Sequence, residues 1–136
     1  MLNNIRLFSV AVTDLDQAIE RYQNLFGLEV MSPVHETQFG FKAAILGNGE
    51  RPFVELISPF DPESPLSRFM RERSYATNPN GEGVYVLNIE VDNLEEAVQR
   101  VKDQGGRVTQ VGERSNAAWV HPTSTNFAFI ELVQAQ

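Results

Sequence analysis

Cysteine is absent from the 136 residues. That removes any disulfide framework and any thiolate metal ligand, and it leaves the redox compartment unmarked. Histidine is scarce: His35 and His121 are the only two. Basic residues are outnumbered, eleven Lys and Arg against eighteen Asp and Glu, for a formal charge of −7. Such a surface argues against a nucleic-acid backbone or an anionic membrane as partner. No apolar run approaches bilayer length, and the start, Met1-Leu2-Asn3-Asn4-Ile5-Arg6, lacks the charged-then-apolar order of a signal peptide. These absences predict a soluble, cytoplasmic protein. The length fits one domain, and each half alone is too small to be comfortable, so the two halves are expected to share a core.

What the chain does have is a repeat. Val12-Thr13-Asp14-Leu15-Asp16-Gln17-Ala18-Ile19-Glu20-Arg21 returns as Val91-Asp92-Asn93-Leu94-Glu95-Glu96-Ala97-Val98-Gln99-Arg100, a shift of 79 positions from 12 to 91. Phe53-Val54-Glu55-Leu56-Ile57 returns as Phe129-Ile130-Glu131-Leu132-Val133, a shift of 76 from 53 to 129. A fixed internal period means one folding unit used twice. Equivalent residues of two such units are expected across a pseudo-twofold axis, which makes Glu55 and Glu131 partners in one site.

Residues 5–12 alternate and are rich in branched and aromatic side chains, which predicts a strand. A helix follows, with Thr13 as cap, an apolar stripe of Leu15, Ala18, Ile19, Tyr22, Leu25 and Phe26, and Gly27 as its stop. Strands are expected over 28–31, 39–46 and 53–58, the later two joined by a Gly47-Asn48-Gly49 turn. Ser64 and Pro65 have the signature of a cap and first position of a short helix. The polar stretch 74–82 reads as a linker, after which the pattern restarts. It gives a strand over 84–91, a helix carrying Leu94, Ala97, Val98 and Val101 that ends at Gly105-Gly106, and strands near 107–111, 117–121 and 127–133.

Strand, helix and three strands, repeated once with Glu in the last strand of each copy, resembles the vicinal oxygen chelate superfamily of glyoxalase, bleomycin resistance and dioxygenase proteins. The resemblance covers essentially the whole chain. Asp61-Pro62-Glu63-Ser64-Pro65-Leu66-Ser67-Arg68-Phe69, Val91-Asp92-Asn93-Leu94 and Val120-His121-Pro122-Thr123-Ser124 look most like the methylmalonyl-CoA epimerase branch. It implies an α+β fold in which two tandem βαβββ modules form a curved mixed sheet around a central cavity. Module one is expected over about 3–60, a linker with a short helix over about 61–82 and module two over about 83–136, all within a single domain. A homodimer is implied too, with Phe8, Val10 and Val12 as an apolar strand face for helices or a partner to cover.

Enzymes of this superfamily hold a divalent metal through a His on the first strand of each copy and a Glu or Gln on the last. Glu55 and Glu131 match the second kind of position. Leu7 and Val86 stand where the histidines would be, again 79 positions apart. Neither hydrocarbon offers the lone pair that lets imidazole hold zinc or ferrous iron firmly, so no metal and no cofactor are expected, although two carboxylates with water can hold a hard ion weakly. The carboxylate base of the epimerase branch falls near Lys42 or Ala43, and neither is an acid.

Residues two apart on a strand share a face. Leu7 therefore brings Ser9 and Ala11 toward the cavity, Val86 brings Val84 and Asn88, Glu55 brings Phe53 and Ile57, and Glu131 brings Phe127, Phe129 and Val133. The expected ligand-binding set is Leu7, Ser9, Phe53, Val86, Asn88, Phe129 and His35, an apolar pocket with a few placed polar groups. Two facing carboxylates without a cation share a proton and suit general acid or base work, or they bind a cationic ligand. Alternatively each Glu pairs with a local donor and only holds strands together. His121, before Pro122, reads as structural, whereas His35 fits either a substrate contact or an exposed loop. Tyr85 belongs in the core by strand phase, and Trp119 fits either core or pocket. Arg68, Arg71 and Arg73 form either an anion grip or a solvated helix face.

Two functions follow. One is a metal-independent enzyme, an epimerase, isomerase or lyase acting on a small carboxylate or acyl thioester through catalytic Glu55 and Glu131. The other is a non-catalytic protein that sequesters a drug or metabolite in the manner of bleomycin resistance proteins.

Overall fold

The computed structural model describes residues 1–110 and 116–136. The chain divides into two compact units, Ser9–Tyr85 and Met1–Phe8 with Val86–Gln136. Strand β1 (Leu2–Ala11) contributes its end to the first and its start to the second.

The unit Ser9–Tyr85 continues with helix α1 (Leu15–Phe26), strands β2 (Glu29–Glu36), β3 (Phe41–Gly47) and β4 (Pro52–Pro59), and helix α2 (Pro65–Glu72). The three strands form an antiparallel meander, with Ala44 opposite Leu56 and Leu46 opposite Val54. Alternation gives this sheet two buried faces. Ala44, Leu46, Val54 and Leu56 are fully buried on one, and α1 packs on β3 and β4 through Leu15 and Ala18. Each of the Leu and Val side chains contributes roughly 1.5–3 kcal/mol on leaving water. The other phase, Ala43 and Ile57, joins Ala11 in a cluster sealed by Leu66 and Met70 of α2, with Phe69 and Tyr85 packed against it. Tyr85 lies edge-on to Phe69, at a ring distance of 4.8 Å, which places it in the core as strand phase predicted.

Helix α1 ends where expected, Gly27 taking the left-handed conformation (φ 66°) that a side chain resists. Its cap is Asp14 rather than Thr13: the Asp14 carboxylate accepts from the Gln17 amide. Thr13 is engaged elsewhere, donating its backbone N–H to Glu82 at 2.8 Å. Ser64 caps α2 with Pro65 at the first position, as the sequence indicated. Val10 and Val12 are buried, and with Ala18, Tyr22 and Leu25 they line a cavity of about 560 Å³.

The second unit holds β5 (Gly83–Val91, from Val86 onward), helix α3 (Leu94–Asp103), β6 (Val108–Gln110), β7 (Ala117–Val120) and β8 (Ile130–Gln134). The strand order is β5-β8-β7-β6, with β5 and β8 parallel and the other pairs antiparallel. Asn93 caps α3. One sheet face packs under this helix: Val91, Ala118, Val120 and Leu132 close on Leu94, Ala97 and Val98. That arrangement leaves Asn88, Trp119 and Glu131 on the opposite phase.

Strand β8 starts at Ile130, three residues later than the pattern suggested. A 3-10 turn over Pro122–Ser124 and positive φ at Asn126 (55°) and Phe127 (67°) break the extended run first, and Phe127 is 81% exposed. Val111, the expected last residue of the strand before β7, lies outside the described residues. Each unit thus combines helices with a strand meander in an α+β arrangement. No helix among the described residues is long and apolar enough to cross a membrane.

Candidate functional site

Glu131 is clamped from both sides by its own sheet. The β5–β8 pairing sets Asn88 opposite it, and the β7–β8 pairing sets Trp119 opposite it. Asn88 Nδ2 donates to Oε1, and Trp119 Nε1 donates to Oε2 at 2.6 Å. Phe129 lies edge-on to the indole at 6.0 Å and supports it from the side. Trp119, which sequence left between core and pocket, therefore belongs to the Glu131 side of the sheet. Strand register is what decides it.

The first repeat has a counterpart. Ser9, almost completely buried, donates its hydroxyl to Glu55 Oε1 at 2.8 Å. In both copies the residue at the same repeat position on the first strand, Ser9 or Asn88, donates to the Glu on the last strand. The residue opposite Glu55 on β3 is Ile45, where Glu131 has Trp119.

The remaining expected residues are placed as follows. Leu7 is buried, Val86 half-buried, and Phe53 52% exposed. Of the two positions near which the resemblance puts the epimerase base, Lys42 is exposed and Ala43 is fully buried against Ile57. His35 lies on exposed strand β2 rather than in a loop, its Nδ1 3.0 Å from the Pro33 carbonyl oxygen. His121 accepts from the Thr123 amide and caps the 3-10 turn, a structural task. Arg73 donates to the Val84 carbonyl at 2.6 Å and lies over the Phe69 ring, while Arg71 donates to the Pro62 carbonyl. Those two guanidinium groups hold the segment around α2 in place.

Beside Glu131 opens a cavity of about 440 Å³. Arg6, Asn88, Glu90, Asn116, Glu131 and Gln134 contribute to its wall. Glu90 was not singled out in the sequence, yet it stands two residues beyond Asn88 and so shares its face.

A profile of the Glyoxalase/Bleomycin resistance protein/Dioxygenase superfamily matches residues 8–123. The chain belongs to this superfamily. Among its superfamily relatives, mitochondrial methylmalonyl-CoA epimerase of Bos taurus is 30% identical over 139 residues, covering 98% of this chain and 75% of the relative. The corresponding protein of Dictyostelium discoideum is 28% identical over 129 residues, 91% of this chain and 74% of the relative. The crystal structure of methylmalonyl-CoA epimerase from Mycobacterium tuberculosis superposes with a TM-score of 0.81 at 25% identity, covering 99% of this chain and 89% of that one.

The divalent metal that this superfamily implies can be tested against the donors present. Leu7 and Val86, which the resemblance sets where the histidines would be, have no lone pair. Among the described residues no three His, Asp or Glu side chains come together to hold an ion. The residues do not fit a tightly held transition metal.

Proposed function

We propose that this chain is a metal-independent enzyme of the methylmalonyl-CoA epimerase kind, acting on a small carboxylated acyl thioester with Glu131 and Glu55 as its proton-handling carboxylates. Kinship with named epimerases along nearly the full chain supports the reaction class. The observation that carries the residue assignment is the clamp on Glu131 by two neutral donors. The two donors hold the carboxylate in one orientation beside the cavity, as a positioned proton-transfer group requires.

The chemistry is a proton exchange at the carbon next to the thioester carbonyl. A carboxylate removes the α-proton, the C–H electron pair passes into the enolate, and a carboxylic acid returns a proton to the opposite face. No oxidant or reductant enters. Ser9 and the Asn88–Trp119 pair orient the two acids for these transfers, and we place the enzyme as a homodimer in the cytoplasm.

The second reading, a protein that binds and sequesters its ligand, is favoured by the want of a carboxylate at Lys42 and Ala43, near which the family's base falls. One measurement separates the two. The protein, treated with EDTA, is incubated with methylmalonyl-CoA in deuterated water and exchange at the α-carbon is followed by mass spectrometry. Exchange well above buffer, lost roughly 100-fold or more in Glu131→Gln or Glu55→Gln, is the expected result. Binding without exchange supports sequestration, and exchange that requires an added transition metal overturns the metal-independent mechanism.

A further inference from the structure

Proton removal by Glu131 brings a carboxylate up to a carbon that already carries one, and the enolate that follows adds further negative charge. Like charges in a cavity repel, so a cation in its wall favours both binding and reaction. Leu7 and Val86 bring no imidazole through which a metal could supply that charge. Among the described residues lining the cavity beside Glu131, Arg6 is the one basic side chain. It stands on β1, within the same compact unit as Glu131.

Arg6 is exposed, and among the described residues it makes no hydrogen bond and no ion pair. The acids of the same wall are bonded elsewhere: Glu90 accepts from Asn4 Nδ2 at 3.2 Å, and Glu131 accepts from Asn88 and Trp119. Nor does the repeated module need a cation at this place. The shift of 79 carries position 6 to position 85, where the second copy has Tyr85, packed edge-on to Phe69 in the core.

We propose that Arg6 binds the substrate's carboxylate and thereby selects a carboxylated acyl thioester over the plain acyl thioester. This rests on the epimerase reading above and adds the group that sets its substrate class. A guanidinium suits the task, because its N–H fork matches two carboxylate oxygens and it stays charged at any working pH. With that charge balanced, Glu131 meets the α-carbon without an uncompensated like charge beside it.

Methylmalonyl-CoA and propionyl-CoA differ by that one carboxylate, so the ratio of their affinities isolates it. The full chain is titrated with each by calorimetry. The parent should bind methylmalonyl-CoA roughly tenfold or more tightly than propionyl-CoA, the worth of a hydrogen-bonded charge pair. Arg6→Ala should bring the two affinities within about twofold of each other and leave propionyl-CoA binding in place, while Arg6→Lys, which keeps the charge without the fork, should recover part of the preference. Because Arg6 is exposed, raising the salt should shrink the parent's preference as well. A merely structural role would weaken both thioesters alike, and that result overturns the proposal. So does a parent that has no preference, or that binds neither thioester. Calorimetry needs no turnover, so the two readings fail separately. A preference that vanishes in Arg6→Ala, in a protein without deuterium exchange, sinks the catalytic reading alone; exchange in the parent, with the preference intact in Arg6→Ala, sinks this one alone.

Discussion

Trp119 donates its indole N–H to Glu131 Oε2 at 2.6 Å, across the β7–β8 pairing that sets the two residues opposite each other. Replacing Trp119 by Phe keeps an aromatic ring beside Phe129 and removes that donor. A hydrogen bond to a charged group is worth roughly 1.5–3 kcal/mol, which for a chain of this length is a fall in Tm of several degrees. Thermal unfolding of Trp119→Phe checks it. A Tm within a degree of the parent would mean that solvent replaces the indole without cost.

Ser9 and Glu55 invite a double-mutant cycle, because the hydroxyl donates directly to the carboxylate and Ser9 is almost fully buried. Ser9→Ala should cost roughly 1–3 kcal/mol by removing the hydroxyl that donates to that carboxylate. In a Glu55→Gln background the same change should cost less, with a coupling on the order of 1 kcal/mol by denaturant titration. Strict additivity would show that the pair is a contact without energetic weight.

What could be seen in the sequence was local. Gly27, Ser64-Pro65 and the apolar stripes of α1 and α3 act within one turn of helix, and they mark the elements where the structure has them. Strand phase also carried far enough to separate Asn88 and Glu131 from the helix-facing residues, since alternation needs only a neighbour two positions away. Trp119 needed more: its side is set by pairing with a strand more than ten residues on, which no local pattern encodes. Thr13 failed as a cap for a similar reason, because its partner Glu82 lies 69 positions away. The late start of β8 reflects two consecutive positive-φ residues, neither of them glycine, whose conformation is imposed by the turn before it.

Gly81 and Gly27 share the same φ of 66° but not the same surroundings. A Cβ on Gly81 would lie 1.8 Å from the Met70 carbonyl oxygen, whereas one on Gly27 would meet nothing within 4 Å. Gly27→Ala should therefore cost only the left-handed strain, roughly 1–2 kcal/mol. Gly81→Ala adds a backbone collision and should cost roughly 3 kcal/mol or more, displacing the linker from the end of α2. Denaturant midpoints of the two variants give the comparison, and equal losses would contradict the close approach.

Burial pushes the Tyr85 phenol above its ordinary value of 10. Tyr22 is raised as well, by burial first and by the Glu82 carboxylate second, with Arg21 opposing. The sign follows from proton counting. Between pH 10 and the raised folded values the unfolded chain has released these protons while the folded chain still holds them. Stability is then fully present below pH 10 and falls as pH climbs beyond it. Urea titrations at pH 8, 10 and 11 should show that decline, and Tyr85→Phe, which removes the ionisable hydroxyl but keeps the ring against Phe69, should make it shallower. An unchanged slope in Tyr85→Phe would mean that the phenol reaches water in the folded state.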